Sequence, residues 1–129
     1  MGPFADEDEL HDYLLGPASA HSFKSAAEYN QALAKANEIR KNSHRITFTH
    51  GDLKAHNILI GDDGHLSGFL DWESAGWCPE YWDFTTALRF GQRSWWGHVA
   101  FWLGGSQYKE ELACDIAINS LTADSYIDF

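Results

Sequence analysis

The chain has 129 residues and a formal net charge of −10. Hydrophobic residues make up 44% and aromatics 15%, enough for a packed core and too much for wholesale disorder. The charge opposes nucleic-acid backbone and anionic lipid, no basic patch offsets it, and no run of about 18 apolar residues offers a membrane span. The opening MGPFADEDELHD is acidic and lacks an apolar signal region, so a cytoplasmic protein is expected, with no nucleic-acid and no membrane partner. Cys78 and Cys114 share no CxxC spacing and read as structural thiols.

Residues 6–15, DEDELHDYLL, predict a helix. Asp6 stands as its cap with Glu9 three residues on, and Leu10, Tyr13 and Leu14 share a face. GPAS at 16–19 breaks it. A longer helix follows: Ser25 and Glu28 have capping-box spacing, and Tyr29, Leu33, Ala36 and Arg40 line one side. Ile39 widens the stripe, and the end falls near Asn42.

The period then changes. Residues 45–50 and 57–60 read as short strands, GDDG at 61–64 as a turn, and 65–71 as a strand ending in Asp71. Such a small hairpin is weak alone and must pack on helices. Gly76 and Pro79 suit a turn, with Pro79 opening a helix from Glu80 to Phe90. GQRS interrupts, WWGHVAFWLGG is strongly apolar, and 107–118 read as the last clear helix. The expected class is α+β, mostly helical, with a small antiparallel β-hairpin inserted. The aromatics around 72–84 and 95–102 read mostly as core, with Trp95 or Trp96 the candidate for a ring lining a substrate pocket.

HGDLKAHNIL, residues 50–59, concentrates polar chemistry between two strands. A loop that bends back can point Asp52 and Asn57 at one site, and Asp71 closes the adjacent strand. Two carboxylates and an amide oxygen make a hard-oxygen set of the kind magnesium accepts, with water and phosphate completing its shell. No Cys or His cluster with zinc spacing competes. A carboxylate can also orient a hydroxyl and take its proton. Spacing leaves open which acid binds metal and which acts as base.

HGDLKAHNIL resembles the H-x-D-x-x-x-x-N catalytic loop of kinase-like phosphotransferases, and the Gly after His resembles the aminoglycoside phosphotransferase and choline kinase-like family. A second motif, LDWESAGWCPEYWDF, adds Asp71, Gly76, Pro79 and Asp83 in that family's order. The resemblance implies that Asp52 positions the acceptor hydroxyl and that Asn57 and Asp71 hold Mg²⁺ against the phosphates of ATP. It implies Lys54 as a catalytic and phosphate-contacting residue, Glu73 as a helper at the metal, and His50 and Asp83 as structural supports of the loop.

The resemblance further implies that residues 1–129 form the C-terminal lobe of a protein-kinase-like fold, truncated at both ends, with the N-terminal nucleotide lobe absent. The 49 residues before His50 read as helices, with no Gly-rich strand and no Lys-bearing strand. In a complete form the γ-phosphate of ATP would pass to a small hydroxyl-bearing substrate, and the isolated chain is expected to be inactive. The open lobe face would meet the missing lobe or drive self-association. Two other classes stay open: a catalytically dead lobe kept as a binding module, and an unrelated metal-dependent hydrolase using Asp52 and Asp71.

Overall fold

The computed structural model describes residues 4–20, 23–89 and 93–122. In chain order its elements are helices α1 (Glu7–Leu15) and α2 (Ala26–Asn37), strands β1 (Ile46–Thr49), β2 (Ile58–Ile60), β3 (Leu66–Phe69) and β4 (Gly76–Pro79), and helices α3 (Trp82–Leu88), α4 (Trp95–Leu103) and α5 (Lys109–Thr122). The fold is α+β and mostly helical, as expected, with two antiparallel strand pairs. The chain divides into two compact units, one over His44–Tyr108 and one joining Phe4–Ser43 to the segment from Lys109. Among the described residues no helix is long and apolar enough to cross a membrane.

The second unit holds α1, α2 and α5. Asp6 caps α1, its Oδ1 accepting from Glu9 N at 2.9 Å. Ser25 caps α2, its Oγ accepting from Glu28 N at 3.1 Å, while Glu28 Oε2 reaches back to Lys24 N. Ala36, Ala117, Ile118 and Leu121 form the buried cluster, flanked by Leu14, Leu33 and Phe23. Small alanines let α2 and α5 approach closely. The expected face of α1 needs one correction. Leu10 and His11 are buried, whereas Tyr13 is 59% exposed and meets the ring of Phe4. Nor does Arg40 join an apolar side. Beyond α2 the chain tightens into a 3₁₀ turn, Glu38–Lys41, from which Arg40 pairs with Asp8 at 3.1 Å and Asp12 at 2.8 Å.

In the first unit β2 pairs with β3, the expected hairpin, with Gly61 N donating to His65 O across its turn. The second pair corrects the sequence reading. Residues 76–79 form β4 and not a turn, pairing antiparallel with β1 so that Phe48 faces Trp77. Pro79 closes this strand, and the helix starts at Trp82 and not at Glu80. The cause is long-range. Glu80 N donates to Arg45 O at 2.8 Å, and Glu80 Oε1 accepts from Arg45 N at 3.3 Å, so the ladder continues past the proline, which has no N–H to lose.

The apolar WWGHVAFWL segment is α4, capped by Ser94 and ended at Gly104, where a Cβ would stand 2.5 Å from the Phe84 ring. A 3₁₀ turn, Gly105–Tyr108, leads into α5, which runs past the expected end at 118. The expected helix end at Phe90 and the interruption at Gly91 and Gln92 lie outside the described residues. The aromatics do not all become core. Tyr81 and Trp82 are buried, but Trp77 is 69% and Trp102 81% exposed, and Phe48, Trp72 and Trp95 are exposed too. Cys78 and Cys114 are free and buried, and burial pushes both thiols up.

Candidate active site

The loop from His50 to Asn57 links β1 to β2, which belong to different strand pairs, so no ladder fixes its backbone. Side chains do. Asp83, inside the first turn of α3, accepts from Gly51 N at 2.8 Å (Oδ1) and from His50 N at 3.2 Å (Oδ2). One carboxylate thus satisfies two loop amides. The sequence placed Asp83 as a loop support, and its geometry is that of an anchor. The N-cap of α3 is Tyr81, which makes no side-chain cap bond.

His50 is buried and its ring links two segments. Nε2 lies 2.6 Å from Leu70 O, and Asp52 N donates to Nδ1 at 3.2 Å. A carbonyl only accepts and an amide only donates. The neutral tautomer with its proton on Nε2 is therefore the one that satisfies both.

Gly51 follows at φ +88, the left-handed region. A Cβ there would overlap the Ser74 carbonyl oxygen, so both conformation and space demand glycine.

Asn57, 4% exposed, donates through Nδ2 to Asp52 O at 3.0 Å and to Asp52 Oδ2 at 3.2 Å. The structure thus brings Asp52 and Asn57 together by folding the loop over a 3₁₀ turn, Ala55–Asn57. With the amide nitrogen committed, the carboxamide oxygen is the atom left for another ligand. Leu70 N donates to Asn57 O at 2.7 Å, extending the β2–β3 pairing by one step, and Asp71 comes immediately after. Asp71 has φ 60, the sole positive value outside glycine among the described residues, and it is exposed. Glu73 is exposed beside it.

Lys54 points to α3. Its Nζ donates to Thr86 O at 3.0 Å, one of the last four carbonyls that a helix leaves open. Burial lowers its pKa, Asp52 opposes that shift, and Arg89 adds to it.

Sequence reasoning missed two partners of the loop. Trp96 Nε1 donates to Leu53 O at 3.2 Å, and Thr86 offers only a backbone carbonyl. A backbone acceptor leaves no signal in residue type. Trp96 stood out only as one of two adjacent tryptophans.

The donors around Asp52, Asn57 and Asp71 are oxygens. Among the described residues no three His, Cys, Asp or Glu side chains gather closely enough to hold a metal ion. Oxygen atoms of this kind are the ligand type that magnesium accepts, with water and phosphate completing its shell.

The sequence model of the phosphotransferase enzyme family matches residues 3–108 of the 129. No curated protein and no solved structure matches the chain.

Proposed function

The chain belongs to the phosphotransferase enzyme family, and on that premise we propose that residues 50–83 form the acceptor and metal side of ATP-dependent transfer to a hydroxyl of a small molecule. The observation that carries this reading is the Asp52–Asn57 pair, locked at 3.2 Å, with Asp71 placed one residue beyond the pairing partner of Asn57. Asp52 orients the acceptor hydroxyl and receives its proton. Asn57, through its carboxamide oxygen, and Asp71, through its exposed carboxylate, would hold magnesium, with Glu73 nearby in sequence to assist. When bound, magnesium supplies the positive charge that offsets the phosphate oxygens during transfer. Asn57 has a second task, since its Nδ2 on Asp52 Oδ2 sets the direction of the carboxylate. His50 and Asp83 keep the loop backbone in this shape, and Lys54 braces it against α3 while keeping a positive charge beside Asp52.

Phosphoryl transfer relies on positioning and electrostatic stabilisation more than on covalent chemistry, so a loop fixed from several sides is the expected design. A reading as a binding lobe without catalysis draws on one further observation. Phe48, Trp72 and Trp77 are exposed, and the Phe48 ring meets both tryptophans, 6.2 Å from Trp72 and 5.6 Å from Trp77. Such a face suits a partner.

The test is a magnesium and nucleotide titration of the 129-residue chain followed by NMR and calorimetry, beside ATP turnover with a panel of small alcohols in a complete form that carries a nucleotide lobe. Magnesium should shift the Asn57 side-chain amide and the Asp71 backbone amide, and Asp71→Ala should weaken metal–nucleotide binding about tenfold or more. Asp52→Ala should leave that binding intact while lowering turnover in the complete form. Equal affinity for wild type and Asp71→Ala would defeat the metal assignment.

A further inference from the structure

We propose that Trp96 is a positioning residue for Asp52, acting through the carbonyl of Leu53; the proposal rests on the phosphotransfer reading of Asp52. Trp96 is the second residue of α4. Ser94 Oγ accepts from Gly97 N at 3.0 Å at the start of that helix, so the backbone bearing the indole is fixed by its cap. From there Nε1 donates to Leu53 O at 3.2 Å, in the second peptide after Asp52. On the other flank Asp83 holds the amides of His50 and Gly51. Asp52 therefore lies between two attachment points, one supplied by α3 and one by α4.

The remaining bonds of Asp52 stay within the loop, its N–H donating to His50 Nδ1 and its O and Oδ2 accepting from Asn57 Nδ2, with the His50 ring itself tied to Leu70 O. They preserve the loop's internal shape. Its placement on the helices needs contacts from outside, and on the side after Asp52 the indole contact is the nearest in sequence. Tethering the chain on both sides of Asp52, at Gly51 and at Leu53, limits how far its backbone can shift, and so where its side chain lies. A misplacement of about 1 Å in a reacting group is enough to cost about 100-fold in rate.

The test is NMR on the 129-residue chain without nucleotide or acceptor. Its failure leaves the phosphotransfer reading standing, and an absence of turnover leaves the positioning result intact. In the unsubstituted protein the Trp96 indole proton should exchange about tenfold more slowly than that of Trp102, which is 81% exposed, and Asp52 should show side-chain couplings of a single rotamer. Trp96→Phe keeps an aromatic ring and deletes the donor. It should speed exchange of the Asp52 amide about threefold to tenfold, the weight of one neutral hydrogen bond, and move the Asp52 couplings toward rotamer averaging. Trp95→Phe, at the exposed ring that meets Trp96 edge-on at 6.1 Å, should change neither. Unchanged Asp52 exchange and couplings in Trp96→Phe, or equal acceleration at every amide of β1, β4 and α3, would overturn the proposal. Should Trp96→Phe fail to fold, the unsubstituted protein still decides: indole exchange as fast as that of Trp102, or an averaged Asp52 rotamer, would overturn it.

Discussion

In the unit built on α1, α2 and α5, polar side chains end helices or, as Arg40 does with Asp8 and Asp12, tie helical segments together, and apolar ones pack them. Asp6 and Ser25 each cap one helix, while Ala36, Ile118 and Leu121 fill the interior. In the unit built on β1–β4, α3 and α4, polar side chains reach across the chain to hold a segment with no regular structure. Asp83 bonds residues 32 and 33 positions away, Lys54 bonds one 32 away and Trp96 one 43 away. The difference is one of what the backbone can do unaided. A helix satisfies most of its own amides, so side chains need only finish its ends. The loop from His50 to Asn57 satisfies few, so its shape depends on a handful of named groups, each with a specific donor or acceptor.

Three substitutions or titrations put that contrast at risk. The largest effect belongs to apolar packing. Leu121→Ala should cost about 3 to 4 kcal/mol through lost burial and the cavity left behind. Amide exchange in α2 and α5 would report it, and a loss under about 1 kcal/mol would mean that this interior is not closely packed. Next comes Asp83→Ala, which strips the acceptor from two loop amides and should cost about 2 to 3 kcal/mol in urea unfolding. Asp83→Asn keeps one acceptor oxygen and should lose about half as much. Equal loss for both would show that the charge, not the pair of bonds, matters.

The smallest effect concerns Glu38. Its hydrogen bond from Lys35 at 2.9 Å, and the charge of that lysine, lower its pKa, so its contribution is present above the ordinary carboxylate range and is lost as pH falls through the lowered value. The pair is exposed, so melting temperature should barely respond while a carboxyl-carbon titration of Glu38 moves, and added salt should reduce the shift.

The helical unit was the more legible in sequence for the same physical reason. Asp6 with Glu9 and Ser25 with Glu28 are local signals, written within one turn, and both caps form as their spacing predicts. The β2–β3 hairpin is also local, announced by GDDG. Strand β4 was not legible because its partner β1 lies far back in the chain and GWCP carries the letters of a turn. The exposed rings Trp77 and Trp102 were misread as core, since helical or strand spacing says which residues share a face but not what covers it. At the candidate site, residue types pointed to Asp52, Asn57 and Asp71. The bonds to Leu70 O, Thr86 O and Leu53 O end on backbone, which no residue type advertises.

Asp71 keeps a side chain at a backbone position that suits glycine. A side chain at φ 60 is held in a conformation that costs an ordinary L-residue about 1 to 2 kcal/mol, less for Asp than for most, and nothing for glycine. Glycine at this position would ease folding, and under pressure for stability alone mutation would drift toward it. A stability-only selection on randomised position 71 would therefore be expected to enrich glycine over the aspartate present.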